Sequence, residues 1–222
     1  MNHTESLIPG SNACRRQRRA GLRIFAILAT LAALATGACR ANDIQVTVLD
    51  AAGQPQADAV VYAEPARGGG PLKGRKEVLI EQVDKTFVPY VSVVQTGTFI
   101  NFPNRDSVRH HVYSFSPAKS FEIKLFSGVP ANPVQFDKPG EVVIGCNIHD
   151  QMIAHILVVD TPHFAKTGKE GLVKLTGLAA GDYTLRVWHP SGAPIAEKVA
   201  LTAKGHGTQV RLAPRTQATP RK

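Results

Sequence analysis

From residue 42 onward the chain reads as short runs in which apolar and β-branched residues dominate, broken by Gly, Pro, Asn and Asp. The runs are Ile44–Leu49, Val91–Val94, Thr98–Phe102, Val112–Phe115, Glu141–Ile144, Ile153–Val159, Tyr183–Trp188 and Gln209–Leu212. Such runs, rich in Val, Ile, Thr and aromatic residues, predict β-strands. The breaks carry turn chemistry: Gln95-Thr96-Gly97, Lys138-Pro139-Gly140, Ala180-Gly181-Asp182 and Pro190-Ser191-Gly192. No long helical spacing follows residue 41. Regular short strands with turn signals predict an all-β protein built of sandwiches.

The pattern before residue 42 is different. Arg15, Arg16, Arg18, Arg19 and Arg23 precede an apolar run from Ile24 to Ala35, and Thr36, Gly37 and Ala38 follow it. This order of basic, apolar and small residues predicts a secretory signal peptide over 1–41, cleaved after Ala38 or Ala41. The apolar run is shorter than the ~20 residues a membrane-spanning helix needs, so no stable span is expected after cleavage. Cys39 follows Thr-Gly-Ala, a poor lipoprotein box. The paired arginines lack the residues that usually follow them in a twin-arginine signal. The mature chain is therefore expected in the periplasm.

Charge then changes meaning. The 222-residue chain is formally +9, but residues 1–41 hold six Arg and one Glu, which leaves about +4 for the mature part. That mild excess does not point to nucleic acid.

Of Cys14, Cys39 and Cys146, only Cys146 lies within the mature chain whichever cleavage site is used; Met152 is the only methionine besides Met1. His149 stands between them in GCNIHDQM, a Cys-x2-His-x2-Met spacing. A thiolate, an imidazole and a thioether in one short loop form a soft ligand set, and two His with one Cys and a weak axial Met select copper. The remaining His must come from elsewhere. His110 and His111 are adjacent in NFPNRDSVRHHVYSF. Neighbouring strand residues point to opposite faces, so one of the two faces the metal. His155, His163, His189 and His206 are expected to be packing or surface residues. Asp106 and Asp150 are expected in solvent, where either could still tune the site through a hydrogen bond.

Residues 77–160 resemble the cupredoxin family, most closely its amicyanin- and plastocyanin-like members, of the kind labelled methylamine utilisation protein. Asn104, His110, His111 and Val112 match the family's first-ligand segment, and Cys146, His149 and Met152 match the amicyanin loop spacing. TFVPYVSVVQTGTFINFPN and VQFDKPGEVVIGC are similar to its strands. The resemblance implies a Greek-key β-sandwich holding one type 1 copper through His110, Cys146, His149 and Met152, with His111 outside the ligand set and electrons leaving by the solvent edge of His149. The chain departs from the family where Asn147, Ile148, Asp150 and Gln151 replace the usual Pro and aromatic residue. It departs again at Val143, Ile144 and Gly145, which stand where an aromatic usually precedes the Cys.

The flanks resemble a carboxypeptidase regulatory-like domain, a smaller transthyretin-like sandwich. Val48, Gly53, Pro55, Ala59, Val60 and Val61 carry the first part. Gly171, Leu178, Gly181, Asp182, Tyr183 and Val187 carry the second. The expected organisation is a discontinuous sandwich, 42–65 with 161–214, into which the 77–160 block is inserted after a Gly-rich linker at 66–76, with a disordered tail at 215–222. The competing reading makes 42–65 the first strands of the copper sandwich itself.

Three functions follow from these expectations. The first is single-electron transfer with another exported redox protein. The second is copper storage or delivery without redox turnover. The third, an oxidase, needs a second copper site of His-x-His pairs, which the mature chain lacks, so no enzyme is expected.

Overall fold

The computed structural model describes residues 42–67, 74 and 76–215. The expected signal peptide over 1–41, most of the expected linker over 66–76, and residues 216–222 of the expected tail lie outside the described residues.

Every regular element among the described residues is a strand. In chain order these are β1 (Asn42–Leu49), β2 (Val60–Pro65), β3 (Glu77–Leu79), β4 (Glu81–Val83), β5 (Thr86–Val88) and β6 (Val91–Gln95). Next come β7 (Thr98–Asn101), β8 (His110–Ser116), β9 (Lys119–Phe126), β10 (Val134–Phe136), β11 (Gly140–Cys146) and β12 (His149–Val159). The last five are β13 (Phe164–Lys166), β14 (Leu172–Leu178), β15 (Gly181–His189), β16 (Gly192–Leu201) and β17 (His206–Arg211).

The strands β1 and β2 find their ladder partners far along the chain. β1 lies between β14, antiparallel, and β17, parallel. β2 lies between β13 and β15, both antiparallel, and β16 extends that sheet. The alternation of β1 explains its place: Ile44, Val46 and Val48 are fully buried while the residues between them are not. They meet Val61, Ala63, Leu185 and Val187 from the facing sheet in one apolar core. Thr161 is buried and joins the segments, donating its hydroxyl to the Ala63 carbonyl at 2.7 Å.

A second core gathers the strands between β3 and β12. A five-stranded sheet runs β6-β12-β11-β8-β9. The sheet β10-β7-β3 and the hairpin β4-β5 contribute to the same core, which contains Ile80, Phe87, Ile100, Phe102 and Phe136. Burying one such side chain contributes ~1.5–3 kcal/mol. In β12 the even-numbered residues Met152, Ala154, Ile156 and Val158 face this core, and in β11 Val142, Ile144 and Cys146 do.

The opposite face of the five-stranded sheet is covered over part of its length. Val91, Leu157 and Val159 pack there with Val60 and Trp188 of the β13-β2-β15-β16 sheet. Trp188 donates its indole N–H to Glu141 at 2.7 Å, and Arg215 pairs with the same carboxylate at 2.5 Å. Among the described residues no helix is long and apolar enough to cross a membrane.

Candidate metal centre

β11 and β12 form a hairpin across the turn Asn147-Ile148, where Cys146 pairs with His149. The regular register, Ile144 with Ala154 and Gly145 with Ile153, shifts between Gly145 and Cys146. Continued unbroken, it would set Cys146 opposite Met152. Residues 150–152 are thus extra length on β12. This bulge lets His149 close over Cys146 while Met152 stays on the inner face. The loop spacing in this way brings Cys146 Sγ and His149 Nδ1 to 3.8 Å from each other, with Met152 in the core on the same inner face.

β8 supplies the second histidine. Gly145 pairs with Tyr113, so the odd residues of β8 share the outer face with Gly145, and His110 and Val112 point inward. His110 is fully buried, Cys146 is 3% exposed, Met152 is fully buried, and His149 is partly exposed.

The donor atoms of His110, Cys146 and His149 all lie within 4.8 Å of one another. Cys146 Sγ is 4.0 Å from His110 Nδ1 and 3.8 Å from His149 Nδ1. The two imidazole centroids are 5.0 Å apart. Donors that each make a bond of about 2.0–2.3 Å to one ion can be at most ~4.6 Å apart, and both sulfur–nitrogen pairs satisfy that bound. The donor chemistry, two imidazoles and a cysteine with a buried thioether in the same core, fits copper. Cys146 is a free cysteine, so its sulfur is not tied up in a disulfide.

His111 is elsewhere. It is 6% exposed, its Nε2 is hydrogen-bonded to the Glu122 carboxylate at 2.9 Å, and its ring stands 5.4 Å from that of Tyr113 on the outer face. His155 packs between the rings of Tyr90 and Trp188. His163 meets Tyr183, and His189 bonds Ser191. None of these joins the cluster.

Asp150 is exposed, whereas Asp106 is not in open solvent as the sequence led us to expect. Its side chain is 13% exposed and its Oδ2 lies 2.7 Å from His110 Nε2. The backbone N–H groups of Asp84 and Lys85 also donate to it, at 2.7 and 2.9 Å. Burial alone would raise its pKa, but these N–H groups and His110 together hold it below the usual carboxylate range. The only sequence signal was the Asp-x3-His spacing. Val143, Ile144 and Gly145 stand where the family usually has an aromatic before the Cys, and the Tyr113 ring of the neighbouring strand packs against Gly145. A Cβ on Gly145 would lie 3.2 Å from the Tyr113 Cζ and Oη.

No family model and no curated protein matches the sequence. Solved structures similar to parts of it include a copper-containing nitrite reductase from Thermus scotoductus SA-01, at 26% identity and TM-score 0.35. That match covers 41% of this chain and 23% of the reductase, so the chain spans about a quarter of its length. A purple cupredoxin from Nitrosopumilus maritimus aligns at 18% identity and TM-score 0.33, over 38% of this chain and 99% of its own. An amicyanin mutant in its reduced state aligns at 16% identity and TM-score 0.33, over 44% of this chain and 99% of its own.

Proposed function

We propose that this chain is an exported cupredoxin-like protein that binds one type 1 copper ion and passes single electrons between redox partners. The observation that carries the proposal is the clustering of one donor atom each of His110, Cys146 and His149 within 4.8 Å of one another, with Met152 buried in the same core. In this reading His110, Cys146, His149 and Met152 would hold the copper. Copper held there would supply a one-electron couple. The protein's part is to hold the donors in one geometry for both oxidation states, so that little reorganisation accompanies transfer.

Burial favours a carrier of electrons over a carrier of copper. His110 is fully buried and Cys146 nearly so, which opposes rapid ligand exchange. His149 is the partly exposed ligand and offers the edge through which an exported redox protein would couple. We read the chain as a carrier and not an enzyme, exported by its basic and apolar leader to the periplasm. The sandwich formed by β1, β2 and β13–β17 is read as a regulatory-like domain with the copper sandwich inserted in it, carrying no chemistry of its own.

Voltammetry of the copper-loaded chain, followed by a challenge with a strong copper chelator, tests this. A reversible one-electron wave with the copper retained supports electron transfer. Loss of the copper to the chelator without a reversible wave would favour delivery and overturn the proposal.

A further inference from the structure

The carboxylate of Asp106 sits between two things it must serve at once. On one side is the two-residue turn of the β4–β5 hairpin, where Asp84 and Lys85 have φ of 51° and 57°. Left-handed residues at both central positions are the signature of the hairpin turn whose twist suits the flanking strands. Successive N–H groups of such a turn form a small concavity suited to an anion. Here they donate to Oδ1 and Oδ2 of Asp106 at 2.7 and 2.9 Å.

On the other side is His110 Nε2, 2.7 Å from Oδ2. The loop between them is itself clamped. Asp106 donates its N–H to Asn104 Oδ1 at 2.9 Å, and the Asn104 amide donates to the carbonyls of Val108 and Phe126 at 2.8 and 3.0 Å.

Two backbone N–H groups can only donate, so both oxygens of Asp106 already accept. The remaining bond is then best met if Nε2 of His110 carries the proton. A neutral imidazole protonated at Nε2 has a bare lone pair at Nδ1, and Nδ1 is the atom that faces Cys146 Sγ.

We propose that Asp106 is the positioning residue of the metal centre: tied to the 84–85 turn, it holds His110 as its Nε2–H tautomer with Nδ1 bare, and places an anionic charge that favours Cu(II) over Cu(I). The role in potential rests on the copper reading above; the tautomer does not. A carboxylate bonded to the far nitrogen of a ligand His raises that ligand's basicity and fixes its ring. The fully buried His110 and the largely buried Asp106 make the bond stronger than it would be in water.

The test uses the full mature chain and the variants Asp106→Asn and Asp106→Ala, with His110→Gln to assign the signal. Long-range ¹⁵N–¹H spectra of the metal-free protein read the tautomer. The wild type should show His110 protonated at Nε2 alone. Asp106→Asn keeps an oxygen acceptor and should keep that tautomer, while Asp106→Ala should show a mixture. Asp106→Ala should bind copper about 10–100-fold more weakly by chelator competition. Asp106→Asn should lose Cu(II) affinity more than Cu(I) affinity, raising the potential by about 59 mV for each tenfold of difference.

An Nδ1-protonated His110 in the wild type overturns the proposal, as does an unchanged potential in Asp106→Asn. Amide exchange at Asp84 and Lys85 reports whether the hairpin survives in each variant. If Asp106→Ala merely loosens that hairpin while keeping a single Nε2 tautomer and full copper affinity, Asp106 is only a turn cap. If the wild type takes up no copper, the function proposed above fails, and the tautomer still decides the positioning.

Discussion

Met152 offers a perturbation whose two possible roles separate cleanly. It is fully buried in the core that contains Cys146, Val112 and Phe136. As pure packing, Met152→Leu nearly conserves volume and should lower stability by less than ~1.5 kcal/mol. Met152→Gln brings an amide to a buried apolar site and should lower it by ~1–3 kcal/mol where the amide finds no partner. As an axial ligand the side chain does more. A thioether stabilises Cu(I), and the axial position is where the potential is tuned. Gln offers a harder oxygen, so the potential of the copper-loaded variant should fall. Leu offers no donor and excludes water, so its potential should rise. Copper also gives the Gln oxygen a partner, so the destabilisation by Gln should be smaller in the loaded protein than in the metal-free one. Urea unfolding of both forms and voltammetry of the loaded pair measure all of this. Equal potentials in the two variants, with the same loss from Gln in both forms, would refute ligation and leave Met152 as packing.

Three further outcomes are expected. His110→Ala should abolish copper binding while His111→Ala leaves one copper per chain, because the two side chains leave opposite faces of β8; metal analysis after desalting checks the order, and the reverse order would be incompatible with this site. Gly171→Ala should destabilise the β1-β14 sheet by more than ~2 kcal/mol, since Gly171 has φ +67° and its new Cβ would meet the Val48 carbonyl at 2.4 Å; urea denaturation with wild-type stability would contradict this. Finally, burial holds His155, His163 and His189 below the usual imidazole range, so below about pH 6.5 the unfolded chain binds more protons than the folded one. The melting temperature of metal-free Cys146→Ser should therefore fall from about pH 7.5 to about 5.5, with a shallower slope in His155→Gln; a flat or rising profile would be the contrary result.

How far the sequence reaches varies by element. The alternation of Ile44, Val46 and Val48 announces β1 and its buried face directly, and Ile153–Val159 announces most of β12. The first four residues of β12 were hidden, because His149, Asp150 and Gln151 are polar and the register shifts there. β9 escaped the strand reading because Lys119, Glu122 and Lys124 interrupt its apolar residues, as suits a strand at the sheet edge. The closeness of Cys146 and His149 follows from their local spacing. The choice of His110 over His111 came from resemblance, since alternation says only that the two differ. Asp106 shows the limit most clearly. Its partners are a turn 21 and 22 residues away and a histidine four residues on, and only the folded chain brings them to one carboxylate.

The central claim is one copper held by the Cys146 thiolate, and the most direct measurement is optical titration of the mature chain with Cu(II), alongside its Cys146→Ser variant and with metal analysis of each. The expected result is one copper per chain and an intense visible thiolate-to-copper band in the wild type, with the band lost in the Ser variant. A wild type that stays colourless with copper bound elsewhere, or a Ser variant that keeps the band, would contradict it.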